Sequence, residues 1–361
     1  MRIVHVDLAT SPSPLDGIGA VVTTLAHAQR KAGHSVAVLD AAWRGGAPLP
    51  IAAVRVIRVL ARLRPDIAHF HSVYRPLNAV GAMTCRLTRT PFVLSPHSGL
   101  APAGRARDRW RKAVWIRLFE RPALRAAARV VCLSAVEEQD VRAIAPRART
   151  TIVRNPLPDA PDHAPRHTGS RALTPIAVTL ARFDVYQKGL DRVAALAHAL
   201  PELRFEVHGE LDHNDPDQAR RLIADAPRNL RFLPPVFGDD KRRLLARADL
   251  YVQLSRWEGQ SIALLEAMTA GVPCVVSEPV ARTLGPVGHD LVVAVPDDPA
   301  AQARAVRGLM AARERRIRLS RQSAAWAREA TDPAAIRERL DAVYTAARRA
   351  RGARPATEEA T

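Results

Sequence analysis

Two glutamates eight positions apart, Glu258 and Glu266, stand in the segment "SRWEGQSIALLEAMTAGVPCVV". The first falls in a loop after an expected strand and the second on a helix. On that helix Ile262, Leu265, Glu266 and Thr269 share one face and Leu264, Ala267 and Met268 another, so both faces are apolar and Glu266 is expected out of water. A buried carboxylate left unpaired costs about 1–3 kcal/mol or more, and ligand hydroxyls are suitable donors. The plain alternative is a carboxylate capped by neighbouring backbone or an arginine.

A second group lies earlier in the chain. Arg182 directly follows the strand-like run "PIAVTLA", and Lys188-Gly189 comes six residues later, opening the next helix. An arginine fork, a lysine and a helix N-terminus within one turn form an anion site sized for a diphosphate. Of the 54 basic residues only Lys31, Lys112, Lys188 and Lys241 are lysine, so a lysine at such a place carries weight. The alternative is two cations on a solvated loop.

These residues need a scaffold, and the chain supplies one twice. "RIVHVDLA", the helix 18–32, "HSVAVLD", "PDIAHFH", "PFVLSPH", "RVVCLS" and "TTIVR" alternate β-branched runs with helical periods. The alternation restarts with "PIAVTLA", helix 189–200, "LRFEVHG", "NLRFLPP", helix 239–248, "LYVQLS", helix 262–270, "PCVVSE" and "LVVAV". Each series predicts a doubly wound parallel sheet covered on both faces, so the fold class is α/β with two Rossmann-like domains facing across a cleft. The expected divisions are a domain at 1–160, a linker at 161–175, a domain at 176–325, a helical segment at 326–350 that returns to the first domain, and a frayed tail at 351–361. The linker rests on the five prolines of "NPLPDAPDHAPRHTGSRALTP". Gly33 stands where the first helix needs a C-terminal glycine, and Ser134 with Glu137 has capping-box spacing.

In open parallel sheets ligands bind past the carboxyl ends of the strands. Those positions hold Arg182, Gly209 with Glu210, and Glu258 with Gly259 in the second half. In the first half they hold Asp16-Gly17-Ile18-Gly19, His71, His97 and Ser134. His69 and His71 alternate onto one strand face; with His97 they could hold a metal, although a strand's core face and end explain them equally. Trp110, Val114 and Leu118 at helical spacing read as core.

Composition removes several classes. The 361 residues are 47% apolar with mean hydropathy −0.11, which excludes a mainly disordered chain, and no apolar run approaches the ~18 residues of a spanning helix. The start, "MRIVHVDLA", reads as a strand and not a secretory leader, so a cytoplasmic location is expected. Cys85, Cys132 and Cys274 are too few and too dispersed for a disulfide framework or zinc knuckle. Net charge is +18, concentrated early: residues 1–160 carry 24 Lys+Arg against 10 Asp+Glu. A nucleic-acid-binding module would fit the charge, but aromatics are 4% and no stacking platform is interleaved with the basic residues.

Taken together, "LARFDVYQKGLD" and "SRWEGQSIALLEAMTAGVPCVVSE" resemble the donor-binding half of retaining glycosyltransferases of the GT-B fold, glycosyltransferase family 4. "DGIGAVVTTLAHAQRKAGHSVAVL", "RPDIAHFHS" and "SPHSGLAP" resemble the acceptor half, so the likeness covers nearly the whole chain. It implies that Arg182 and Lys188 bind the diphosphate of a nucleotide sugar. Glu266 would accept from the ribose hydroxyls, and Glu258 would face the transferred sugar near its reacting carbon. His97 would lie beside the donor sugar, and the Gly17 to Gly19 loop would bring backbone close to the diphosphate. Three positions depart from the family: Ala181 replaces a glycine before the arginine, Ser98 replaces the glycine after His97, and Pro156 follows Asn155 where glycine is common.

The implied reaction needs leaving-group charge stabilised, which Arg182, Lys188 and a helix N-terminus would do; no DxD-type carboxylate pair is evident, so no metal or other cofactor is expected. The expected partners are a nucleotide sugar donor and a glycan or lipid-linked acceptor of cell-envelope or exopolysaccharide synthesis, with no nucleic acid. A non-hydrolysing nucleotide-sugar epimerase is the competing enzyme reading. Residues 105–129 carry nine Lys+Arg against Asp108 and Glu120, with Trp110, Val114, Leu118 and Phe119 among them. A basic amphipathic helix of this kind would hold the protein peripherally on an anionic inner leaflet, and a solvated arginine face is the alternative.

Overall fold

In the computed structural model the described residues are 1–8, 17–106, 108–157, 174–211 and 215–352. The Val- and Ile-rich runs of the first half form β1 (Arg2–Val6), β2 (Ser35–Leu39), β3 (Ile67–His71), β4 (Phe92–Ser95), β5 (Arg129–Cys132) and β6 (Thr150–Ile152), all paired in parallel in the order β2-β1-β3-β4-β5-β6. Every residue of β3 is buried, as expected for a parallel strand covered on both faces. The second half forms β7 (Ile176–Leu180), β8 (Arg204–His208), β9 (Leu230–Leu233), β10 (Leu250–Gln253), β11 (Cys274–Ser277) and β12 (Val293–Val295), parallel in the order β12-β11-β10-β7-β8-β9. Each sheet has its own apolar core, one built around Phe70, Phe92, Leu100 and Leu124 and the other around Leu190, Leu196, Phe205 and Val252.

The chain divides into one unit of Met1–Pro158 with Asp332–Thr361 and another of Asp159–Thr331. The expected helical segment 326–350 is therefore split. Helix Arg313–Ala330 stays with the second unit, and helix Pro333–Gly352 returns to the first, where the Tyr344 hydroxyl meets His69 Nδ1 at 2.7 Å and Asp341 meets His34 at 3.1 Å. Of the expected linker 161–175 all but residues 174 and 175 lie outside the described residues, as do Asp16 and most of the tail.

Local signals hold where their chemistry is local. Gly33 takes φ 83° after helix Gly17–Lys31. The three cysteines are buried and form no disulfide. Gly17 and Gly19 are not a loop; they form the first turn of that helix, which sets backbone N–H groups at its start. The core reading of Trp110, Val114 and Leu118 fails, since they are 73%, 51% and 58% exposed. The segment is anchored instead by Leu124 in the core and by the buried Glu120, which ends a π-helical turn, Ile116–Glu120, between helices Arg109–Trp115 and Arg121–Ala126. The wider turn shifts the phase of the helix, and Glu120 is held by Tyr74 N–H at 2.6 Å and Trp115 Nε1–H at 2.8 Å.

Candidate functional site

In the second unit the expected residues gather past the carboxyl ends of β7, β8 and β10. Arg182 follows β7 within a stretch that continues the ladder to β8: Ala181 N–H donates to His208 O at 3.1 Å and Phe183 N–H to Glu210 O at 2.8 Å. The turn that follows is a short helix, Val185–Lys188, capped by Asp184 and closed by Gly189 at φ 64°. Gly189 is required twice over, because a Cβ there would stand 2.0 Å from Leu254 O as well as in the left-handed region. Gly209 has a steric reason alone: its Cβ would meet Ala181 O at 1.8 Å.

Lys188 and Glu258, expected in separate roles, form an ion pair at 2.8 Å with Glu258 only 8% exposed. Glu258 Oε1 also accepts from Gln253 Nε2 at 3.0 Å and Ser255 Oγ at 2.9 Å. All three donors fall on one oxygen. Gln253, the last residue of β10, is fully engaged: its Nε2 donates to Glu258 and to Ser255 Oγ at 3.2 Å, and its Oε1 accepts from Ser261 Oγ at 2.8 Å and the buried Tyr251 hydroxyl at 3.1 Å. Ser261 also caps helix Ile262–Thr269 through Leu264 N–H. The loop carrying Glu258 and Gly259 is thus tied to the strand before it and the helix after it, a rigid mount for a carboxylate.

Glu266 sits on that helix with Leu264, Leu265, Ala267 and Met268 buried and Ile262, Glu266 and Thr269 partly open, so one of the two expected apolar faces is half-exposed. Its partner is neither backbone nor arginine but Lys241 Nζ at 2.5 Å, from helix Gly238–Arg247. Lys241, Gln253 and Ser255 are absent from the sequence-based site. The scarcity of lysine was the available signal for Lys241, and a glutamine ending a fully buried strand for Gln253.

In the first unit, His97 follows β4 at φ 50° and Ser98 follows at φ 60°. Ser98 occupies the left-handed region that a glycine would favour, at a cost of about 1–2 kcal/mol. An offset comes from Glu137, whose Oε1 accepts Ser98 N–H at 2.5 Å and whose Oε2 accepts Leu133 N–H at 2.6 Å. Half of the expected capping box forms, with Ser134 Oγ accepting Glu137 N–H at 3.3 Å, while the glutamate reaches to the His97 loop. Burial pushes the Glu137 carboxyl up to about 7.

His5, His69 and His71 each offer a nitrogen within 4.8 Å of the others. Each of their six ring nitrogens already has a partner: His5 meets Gln29 Oε1 and His71, His69 meets the Tyr344 and Ser95 hydroxyls, and His71 meets His5 and His97. The cluster is a hydrogen-bonded network. Burial lowers all of these imidazoles, His5 and His97 to about 4.

Residues 174–312 match the family model "Glycosyl transferases group 1" and residues 39–156 match "Glycosyl transferase 4-like domain". The chain is 27% identical over 262 residues to a GDP-mannose:cellobiosyl-diphosphopolyprenol alpha-mannosyltransferase of Xanthomonas oryzae pv. oryzae, covering 70% of this chain and 66% of that one. It is also 27% identical over 325 residues to the enzyme of that name from Komagataeibacter xylinus, covering 85% and 79%. Among solved structures it superposes on sucrose-phosphate synthase from Thermosynechococcus elongatus with TM-score 0.78 at 17% identity (95% and 98% covered), and on Anabaena HepE in complex with UDP-glucose with TM-score 0.75 at 17% identity (96% and 99% covered). These likenesses establish the two-domain α/β GT-B fold. Matched in both halves by models of the same group, the chain belongs to the group 1 glycosyl transferases, glycosyltransferase family 4.

Proposed function

We propose that this protein is a retaining, metal-independent glycosyltransferase that moves a sugar from a nucleotide diphosphate sugar to a hydroxyl of a glycan or lipid-linked glycan. The observation that carries the reading is the pair of lysine–glutamate contacts, Lys188 with Glu258 and Lys241 with Glu266, mounted beside Arg182 at the carboxyl edge of one sheet. Arg182 and Lys188 take the diphosphate and stabilise the charge that grows on it as the glycosidic bond breaks. Glu266 accepts from the ribose hydroxyls. Glu258 keeps Oε1 on Gln253 and Ser255 and turns Oε2 to the transferred sugar. In a retaining transfer the acceptor hydroxyl attacks from the leaving-group side and passes its proton to the departing phosphate, so a strong separate base is not needed. Gly17, Gly19 and His97 serve the same reaction from the first unit.

The mannosyltransferase relatives are named for GDP-mannose and a diphosphopolyprenol acceptor, which supports a GDP-hexose and a lipid-linked acceptor in polysaccharide synthesis as the first pair to test. The exposed Trp110, Val114, Leu118 and Phe119 among Arg109, Arg111, Lys112 and Arg117 support peripheral contact with an anionic leaflet at the cytoplasmic face. Among the described residues no helix is long and apolar enough to cross a membrane. No observation favours the epimerase or nucleic-acid readings.

The test is a thermal-shift screen against GDP, UDP, ADP and CDP, followed by donor turnover with and without a polyprenol-linked acceptor and with chelator. A ligand at ~100 times its dissociation constant stabilises by about 2.7 kcal/mol. No shift with any nucleotide, or turnover that needs no acceptor, would defeat the reading.

A further inference from the structure

A chain of buried side chains ends on His97. Gln29 of helix Gly17–Lys31 places Oε1 2.7 Å from His5 Nε2, His5 Nδ1 lies 2.9 Å from His71 Nε2, and His71 Nδ1 lies 3.0 Å from His97 Nε2. Gln29, His5 and His71 are buried to within 1% of complete.

A neutral imidazole has one donor nitrogen and one acceptor nitrogen, and an amide oxygen only accepts. With the Gln29 amide presenting Oε1, His5 carries its hydrogen on Nε2, toward Gln29. Its Nδ1 is then a lone pair, so His71 must donate from Nε2. The same step at His71 Nδ1 makes His97 donate from Nε2 and leaves His97 Nδ1 as the acceptor. The order of protons along three rings is thus set by which end of one amide faces His5. His69 stands outside this chain, because its two partners are the hydroxyls of Tyr344 and Ser95, which rotate to suit either tautomer. The ring centroids of His5, His69 and His71 lie 4.1–5.4 Å apart, so a proton added to any one would face the others across a dry interior.

We infer that Gln29, His5 and His71 are positioning residues that hold His97 as the neutral Nε2–H tautomer, so that His97 serves transfer as a hydrogen-bond acceptor for a substrate hydroxyl through Nδ1 and not as a general acid. This rests on the proposed role of His97 in sugar transfer. The consequence is a preference for substrates that present a hydroxyl hydrogen there over ones that present a carbonyl or carboxylate.

The experiment is nitrogen-15 NMR of the full chain labelled at the histidine rings, at pH 7, with His97 signals assigned by their loss in His97→Gln. The expected result is Nε2–H for His5, His71 and His97 with Nδ1 unprotonated. In Gln29→Met the amide acceptor is gone, so His97 should become a mixture of tautomers, and kcat/KM should fall about fivefold to tenfold, the scale of one misdirected neutral hydrogen bond. Wild-type His97 found as Nδ1–H or as imidazolium overturns the inference, as does an unchanged tautomer in folded Gln29→Met. The wild-type spectrum decides alone if that variant does not fold. Unchanged turnover in His97→Gln would defeat the catalytic reading of His97 instead, and the tautomer spectra would still judge the relay.

Discussion

Lys188 Nζ lies 2.8 Å from Glu258 Oε1, and the same carboxylate oxygen is held by Gln253 and Ser255. A lysine drawn away by a diphosphate therefore leaves behind a carboxylate that still has two neutral donors. The cation is exchangeable and the acid stays in place.

From this it follows that Lys188→Ala and Arg182→Ala should each lower turnover by about 10²–10³, since each removes a donor aimed at developing charge, while thermal stability of the ligand-free protein changes little. Steady-state rates close to wild type in either variant would overturn the assignment of the diphosphate site.

The second glutamate separates binding from chemistry. Glu266→Gln should weaken nucleotide diphosphate binding by about 1.5–3 kcal/mol, as a charge-assisted hydrogen bond becomes neutral. Lys241→Met should weaken it less, and the double variant should fall short of the sum, because the two side chains share one contact. Glu258→Gln should spare nucleotide binding and impair transfer. Calorimetry giving the reverse pattern would exchange the roles of the two glutamates.

How far the sequence reaches is set by how local each determinant is. Arg182 with Lys188, and Glu258 with Glu266, are legible because each pair spans one strand–loop–helix step, where spacing fixes geometry. Lys241 meets Glu266 across two helices 25 residues apart in the chain, and no periodicity announces that pairing. Glu137 shows the same limit: its spacing from Ser134 signals a cap, whereas its carboxylate binds Ser98 N–H, 39 residues away. For Trp110, Val114 and Leu118 the period gives a helix but not the side that is covered, since a π turn ending at the buried Glu120 shifts the phase before Leu124 enters the core.

Ser98 tests the reading of the His97 loop. A serine at φ 60° carries strain that glycine lacks, so Ser98→Gly should raise stability by up to about 1 kcal/mol, the strain relieved less the extra entropy of the unfolded chain. Ser98→Val should lower it. A melting temperature that falls in Ser98→Gly would show the loop to be shaped by something other than backbone conformation.

The exposed side chains of the basic segment make a membrane prediction. Co-sedimentation with vesicles should increase from neutral to anionic lipid at low salt and decline as salt rises, because each cation near the surface contributes about 1 kcal/mol and is screened within a Debye length. Trp110→Ala with Leu118→Ala should reduce binding without altering turnover of a water-soluble acceptor analogue. Equal sedimentation with neutral and anionic vesicles would remove the membrane claim.

The buried histidines give the first unit an acid limit whose sign can be worked out. The folded chain holds His5 and His97 at about 4, and His69 and His71 well below 6.5, all by desolvation. Between pH 6.5 and 4 the unfolded chain therefore takes up protons that the folded chain refuses, so stability is present above 6.5 and is lost as pH falls toward 4. Glu137 runs the other way. Its folded value of about 7 stands above the 4.5 of the unfolded chain, so its contribution is present below 4.5 and is lost as pH rises through 7. Four imidazoles oppose the carboxyls of Glu137, Asp140 and Glu120, which burial also raises, so the melting temperature should fall on acidification below pH 6.5 and fall gently as pH rises from 6.5 through 7. Glu137→Gln should flatten the limb above pH 6.5 and steepen the acid one. Differential scanning calorimetry across pH 4 to 8 reads both limbs, and a melting temperature that rises as pH drops below 6.5 would mean that the histidines are charged in the folded protein.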